Sequence, residues 1–204
     1  DGSGGSRRPP PLEQSCACGS GEVYGSCCQP LHMGGPAKTP EQLLRARFTA
    51  YTYRLPDFLG RTLLAKAQQL AEESDIEAFD KGVRNKRNAA DAEEREEILR
   101  YIDSYDFSNL VVRNQEPIND MMHKISFGCT IRSRGLRVDG RPIESEILDE
   151  QTLHFREVST FRRLQPDGPW FYDVGEVSYA GKTMEENIQE KRAEREQQEQ
   201  VEAS

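Results

Sequence analysis

No run of apolar residues in the 204-residue chain approaches the roughly 20 needed for a helix to cross a bilayer. No transmembrane segment is therefore expected, and a soluble or peripheral protein is. Basic residues are short: 27 Lys and Arg stand against 35 Asp and Glu, for a net charge of −8. That disfavours general nucleic-acid binding, which takes most of its affinity from a basic face that neutralises phosphates. The first fifteen residues, DGSGGSRRPPPLEQS, lack the apolar stretch of a secretory signal. Histidine is limited to three positions, His32, His123 and His154, so acid–base catalysis has few candidates. No C-x-x-C pair is present, which weakens a thiol redox role for Cys27 and Cys28.

What cysteine there is lies close together. Four of the five fall in the string CACGSGEVYGSCC, as Cys16, Cys18, Cys27 and Cys28. Such a set suits a tetrahedral four-sulfur zinc site, with Zn–S distances of about 2.3 Å. Gly19 and Gly21 supply the backbone freedom to wrap an ion. Two disulfides are the rival reading and need an oxidising compartment; a vicinal Cys27–Cys28 bridge would be strained. Iron–sulfur ligation fits less well, since its cysteines are usually spaced more widely. His32, four residues past Cys28, is an alternative fourth ligand. Four cysteines would close the coordination shell and leave no place for a catalytic water. Clustered thiols without a secretory signal point to a reducing compartment. Cys129 reads as a core residue.

Downstream, TPEQLLRARFTAYTYRL predicts a helix with Thr39 as its N-cap, Pro40 first, and Leu44, Phe48, Tyr51 and Leu55 on one face. Pro56 ends it, and a second helix is expected from Asp57 to about Glu73. Residues 74–97 read as a solvated helix with an apolar end at Ile98, Leu99 and Ile102. The pattern then turns to strands: a short SNLVVRNQ, then HKISFGCTIRSRG with Ile125, Phe127, Cys129 and Ile131 on one face. A loop or small hairpin follows in GLRVDGRPIESE. LDEQTLHFREVSTFRRLQ and WFYDVGEVSYAG form a final pair across a Pro166–Gly168 turn. The fold class is α+β, helices followed by an antiparallel sheet of about four strands. TMEENIQEKRAEREQQEQVEAS reads as a charged helix or a tail that orders on a partner.

CACGSG, Tyr24 and CCQP resemble the SEC-C motif, the zinc-binding element at the end of the translocation motor SecA. Its four ligand positions fall on Cys16, Cys18, Cys27 and Cys28. TPEQLLRARFTAY resembles a helix of the form P-x-x-L-M-R-S-R-Y-S-A-Y. Glu157, Ser159 and Phe161 resemble an E-x-S-x-F strand, and WFYDVG its W-Y-Y-V-D-G partner. Together these are similar to the bacterial YchJ family over most of residues 15–178. The resemblance implies a SEC-C element followed by a nuclear transport factor 2-like (cystatin-like) cone. The family's Trp-His-Pro after the second helix is absent, residues 72–97 look inserted, and a second SEC-C element is replaced by the charged tail. These departures suggest a eukaryotic relative, with the chloroplast stroma preferred to the cytoplasm.

The expected organisation is a flexible linker or presequence remnant over 1–14, a SEC-C element over 15–35, a cystatin-like domain over 39–180 carrying a charged helical segment at 72–103, and a charged tail over 181–204. The SEC-C element is expected to fold on its metal as a separate knob showing Tyr24, Leu31 and His32. Losing Cys18 or Cys27 should then unfold 15–35 alone. The resemblance implies a zinc-binding adaptor that meets protein partners, such as a multi-subunit complex, a chaperone or the ribosome. The alternative is an enzyme or small-molecule binder using the cone's cavity. Glu157 is the attractive acid there, against the simpler reading of an ion pair with Arg156 or Arg162. Phe48, Tyr51, Phe127, Phe161 and Trp170 are expected in or around one core.

Overall fold

The protein is seen in a computed structural model that describes residues 11–74, 81–133, 137–138, 141–142, 152–179, 193–194 and 197. The linker expected at 1–14 and the tail at 181–204 lie largely outside the described residues. A one-turn helix, α1 (Gln29–His32), follows the cysteine loop. Then comes α2 (Pro40–Tyr53), where Thr39 caps the start by accepting from the Gln42 amide at 3.2 Å. Leu43, Leu44, Ala46, Phe48 and Ala50 are buried along it. The helix stops at Arg54, a left-handed residue with φ 57°. A 2.6 Å bond from its Nε to Asp103 Oδ1 helps hold Arg54 in place.

The single helix expected from Asp57 to Glu73 is two, α3 (Pro56–Arg61) and α4 (Leu64–Ser74). The break comes where a strand claims the backbone. The Tyr172 amide donates to the Thr62 carbonyl at 2.9 Å, and Leu63 bridges Tyr172. The charged helix is α5 (Lys81–Ser104), and its apolar end packs as expected, with Ile102 fully buried.

Four antiparallel strands make the sheet: β1 (Tyr105–Asn119), β2 (Met122–Ser133), β5 (Thr152–Arg163) and β6 (Trp170–Tyr179), in the order β1-β2-β5-β6. The pieces β3 (Arg137–Val138) and β4 (Arg141–Pro142) form the small hairpin between. β1 is far longer than its SNLVVRNQ segment suggests, and it carries three register shifts against β2. Such irregularities bend a strand, and the α2 helix packs on the inner face of this sheet. Ile125, Phe127, Cys129 and Ile131 of β2 are buried there, as their alternation predicts. Phe161, Leu43, Leu59, Ile102 and Ile125 are almost wholly buried, each contributing about 1.5–3 kcal/mol. Phe48, Phe127, Phe161 and Trp170 lie in the same core, with Tyr51 packed against it.

Candidate metal centre

A miniature hairpin positions the first two cysteines. Ser15 bridges Val23, and the Cys16 amide donates to the Glu22 carbonyl at 2.9 Å. The turn between them needs left-handed backbone, which Gly19 (φ 71°) and Gly21 (φ 87°) provide. Tyr24 then begins a tight turn that brings Cys27 and Cys28 back, and Cys28 stands immediately before α1. The four sulfurs all lie within 4.8 Å of one another. Cys27 Sγ is 3.5 Å from Cys18 Sγ and 3.7 Å from Cys28 Sγ. A regular tetrahedron with 2.3 Å Zn–S bonds has edges of about 3.8 Å. The donor set and its spacing thus fit one tetrahedral ion, and all four cysteines are free thiols.

Crowding polarises the thiols. Hydrogen bonds from Cys16 and Cys28 hold the Cys18 thiol far below the usual thiol range. Hydrogen bonds with Cys16 and Cys18, together with burial, push Cys28 far up, and burial raises Cys27 to about 11. Protons alone leave Cys18, Cys27 and Cys28 unequal, whereas a dication would let them share thiolate character.

The surroundings hold what sequence reasoning missed. Thr49 on α2 is fully buried, its Oγ1 3.4 Å from Cys28 Sγ and 3.7 Å from Cys16 Sγ. Ser20 Oγ lies 3.2 Å from Cys27 Sγ. Arg45, also on α2, donates from Nη1 to the Cys18 carbonyl at 2.8 Å. Ser20 sits inside the motif and was open to notice; Thr49 and Arg45 reach the site only through tertiary packing.

His32 is not placed as a ligand. Its Nε2 donates to the Ala46 carbonyl at 2.9 Å, so Nδ1 accepts from the Tyr24 hydroxyl, also at 2.9 Å. Burial lowers its pKa below the usual value. The exposed knob expected from the sequence is corrected as well. Tyr24 is only 3 % exposed and packs edge-on against Tyr53. Arg61 on α3 ties down the Leu31 and His32 carbonyls at 3.0 and 2.6 Å. Cys16, Cys18 and Cys28 belong to one buried cluster with Ala46, Phe161 and Trp170. Leu12, Val23 and Met33 are the large apolar residues this region exposes among those described.

The other sequence candidates are dispersed. His154 is exposed, while His123 is half-buried, its ring 6.3 Å from that of Trp170. Glu157 makes no pair with Arg156 or Arg162. Alternation sends those arginines to the opposite face, where Arg162 meets Asp173 at 3.0 Å.

Residues 39–175 match the family described as YchJ, middle NTF2-like domain. The chain is 48 % identical over 54 residues to a UPF0225 protein of Deinococcus radiodurans, covering 26 % of this chain and 41 % of that one. It is 38 % identical over 63 residues to a UPF0225 protein of Vibrio cholerae, covering 30 % and 42 %. These matches span about two fifths of the relatives' lengths. The fold is similar to the crystal structure of a SEC-C motif containing protein from Psychrobacter arcticus. The TM-score is 0.54 at 18 % identity, over 86 % of this chain and 95 % of that one.

Proposed function

The chain belongs to the YchJ family, as the match over residues 39–175 shows, and from that premise we propose a zinc-stabilised adaptor that works by binding another protein. The observation that carries the reading is the convergence of the Cys16, Cys18, Cys27 and Cys28 sulfurs within 4.8 Å. Zinc is the ion such a set favours, and four thiolates would leave it no open position for substrate. The metal then supplies folding energy and rigidity rather than chemistry. The α1 region becomes a fixed platform, and Val23 (41 % exposed) and Met33 (76 % exposed) are the apolar contacts it offers.

The partner is a protein, within a multi-subunit complex, a chaperone or the ribosome, and the charged residues 184–204 form a second contact. A reducing compartment, with the chloroplast stroma preferred to the cytoplasm, belongs to the same reading. Localising a tagged full-length protein tests the compartment.

Three full-length proteins test the adaptor role: wild type, Val23→Asp with Met33→Asp, and a chain lacking residues 184–204. Partners that co-purify with each are compared quantitatively. The reading predicts that both altered proteins lose the same partner while keeping their metal. Retention of every partner by both contradicts it.

A further inference from the structure

Glu157, Ser159 and Phe161 alternate along β5, and all three pair with residues on the helix-facing side of the sheet. Simple alternation on β6 would put Tyr172 and Val174 together on that side. A register shift prevents this. Phe161 pairs with Tyr172, Thr160 with Val174 and Ser159 with Gly175, so Asp173 is the extra residue of a bulge. Its carboxylate is held on the outer face by Arg162. Tyr172 and Gly175 thereby both join Glu157 on the inner face.

The result is a constructed polar group. Ser159 Oγ donates to Glu157 Oε1 at 2.6 Å, and the Tyr172 hydroxyl donates to the same oxygen at 3.2 Å. Gly175 makes the room: a Cβ there would run into both Glu157 Oε1 and the Tyr172 hydroxyl. The group lines a cavity of about 80 Å³, walled chiefly by Leu44, Phe48, Tyr51, Phe127 and Cys129. That volume holds about five to eight water-sized groups.

The hydrogen-bond inventory selects the ligand. Both hydroxyl protons are spent on Oε1. Glu157 Oε2 takes no hydrogen bond among the described residues, and an ionised carboxylate only accepts. At the Glu157 end the cavity therefore offers a carboxylate acceptor. Cys129 stays a neutral thiol, raised to about 12 by burial. Arg47 also reaches the wall, but its Nη1 is directed at the Leu59 carbonyl and Thr62 Oγ1, at 2.8 and 2.6 Å. Its guanidinium carbon sits over the Tyr172 ring, 4.4 Å from the centroid. A carboxylate acceptor at one end and aromatic faces around it suit a cation that donates hydrogen bonds.

We propose that this cavity binds a small organic ammonium, with Glu157 as its counter-ion and Ser159, Tyr172 and Gly175 fixing the carboxylate. This site is separate from the metal centre, and its test leaves the cysteines alone. The full chain is titrated with butylammonium, butanol and butyrate while amide resonances of Phe127, Cys129, Ser159 and Gly175 are followed by NMR. Butylammonium should give saturable shifts at these amides and should outrank both other probes. Glu157→Gln, which keeps the side-chain volume, should weaken it by about tenfold to a hundredfold. Gly175→Ala, which displaces the carboxylate, should weaken it too. Absence of saturable shifts, equal or better binding of butyrate or butanol, or undiminished binding by Glu157→Gln overturns the proposal. If either variant fails to fold, the wild-type ranking of the three probes decides.

Discussion

Thr49 puts one hydroxyl beside two of the four sulfurs, at 3.4 Å from Cys28 and 3.7 Å from Cys16, in a fully buried position. Its one proton is shared between the Arg45 carbonyl at 3.0 Å and Cys28 Sγ at 3.4 Å, so it can spread that sulfur's thiolate charge and help orient it as a ligand. Thr49→Val keeps the shape and removes the hydroxyl. It is expected to lower metal affinity by about tenfold to a hundredfold in chelator competition, with the fold retained. His32 acts differently, as a latch whose neutral ring accepts from Tyr24 and donates to Ala46. Burial lowers its pKa in the folded protein. The unfolded ring takes up its proton near pH 6.5, whereas the folded ring takes it up only at lower pH. The unfolded state thus binds more protons as pH falls below about 6.5, and stability drops until the folded ring also titrates. His32→Gln should remove this share of the acid sensitivity, read as the difference between the two proteins' denaturation midpoints across pH 7 to 5.

At the scale of elements, Trp170 anchors the start of β6. It is 8 % exposed, beside His123 and under the Arg163 guanidinium, 5.0 Å from the ring centroid. Trp170→Ala should cost about 3–5 kcal/mol in chemical denaturation. Thr39→Ala, which removes the cap of α2, should cost about 1 kcal/mol. What the sequence revealed and what it hid follow from the range of each cause. The Thr39–Pro40 start of α2 and the alternation of β2 were legible, because caps and periodicity are local. The break between α3 and α4 was not, because it is set by Tyr172, a distant residue on another strand. The β6 bulge was hidden for the same reason: WFYDVG reads as plain alternation until its register against β5 is known. At the metal centre, cysteine spacing exposed the four sulfurs. Thr49, Arg45 and the latch of His32 onto Ala46 depend on how the cysteine loop meets α2, which no short motif encodes.

Across the whole molecule, the cysteine loop and the cone share one core rather than standing as two units. Buried Cys16, Cys18 and Cys28 are continuous with Phe48, Phe161 and Trp170. Metal binding should therefore stabilise the entire chain. At free zinc a thousandfold above the dissociation constant, linkage contributes about 4 kcal/mol. Chelation should then lower a single unfolding midpoint, followed by Trp170 fluorescence, by about 8–16 °C. An unmoved tryptophan transition would instead restore the picture of a separable element. Underlying all of this is the proposal that one ion is held by the four clustered sulfurs, and elemental analysis of the purified full-length chain with parallel thiol titration tests it directly. The account predicts one zinc per chain, with four thiols that resist alkylation until the metal is chelated. A metal-free protein whose four clustered cysteines form two disulfides would contradict it.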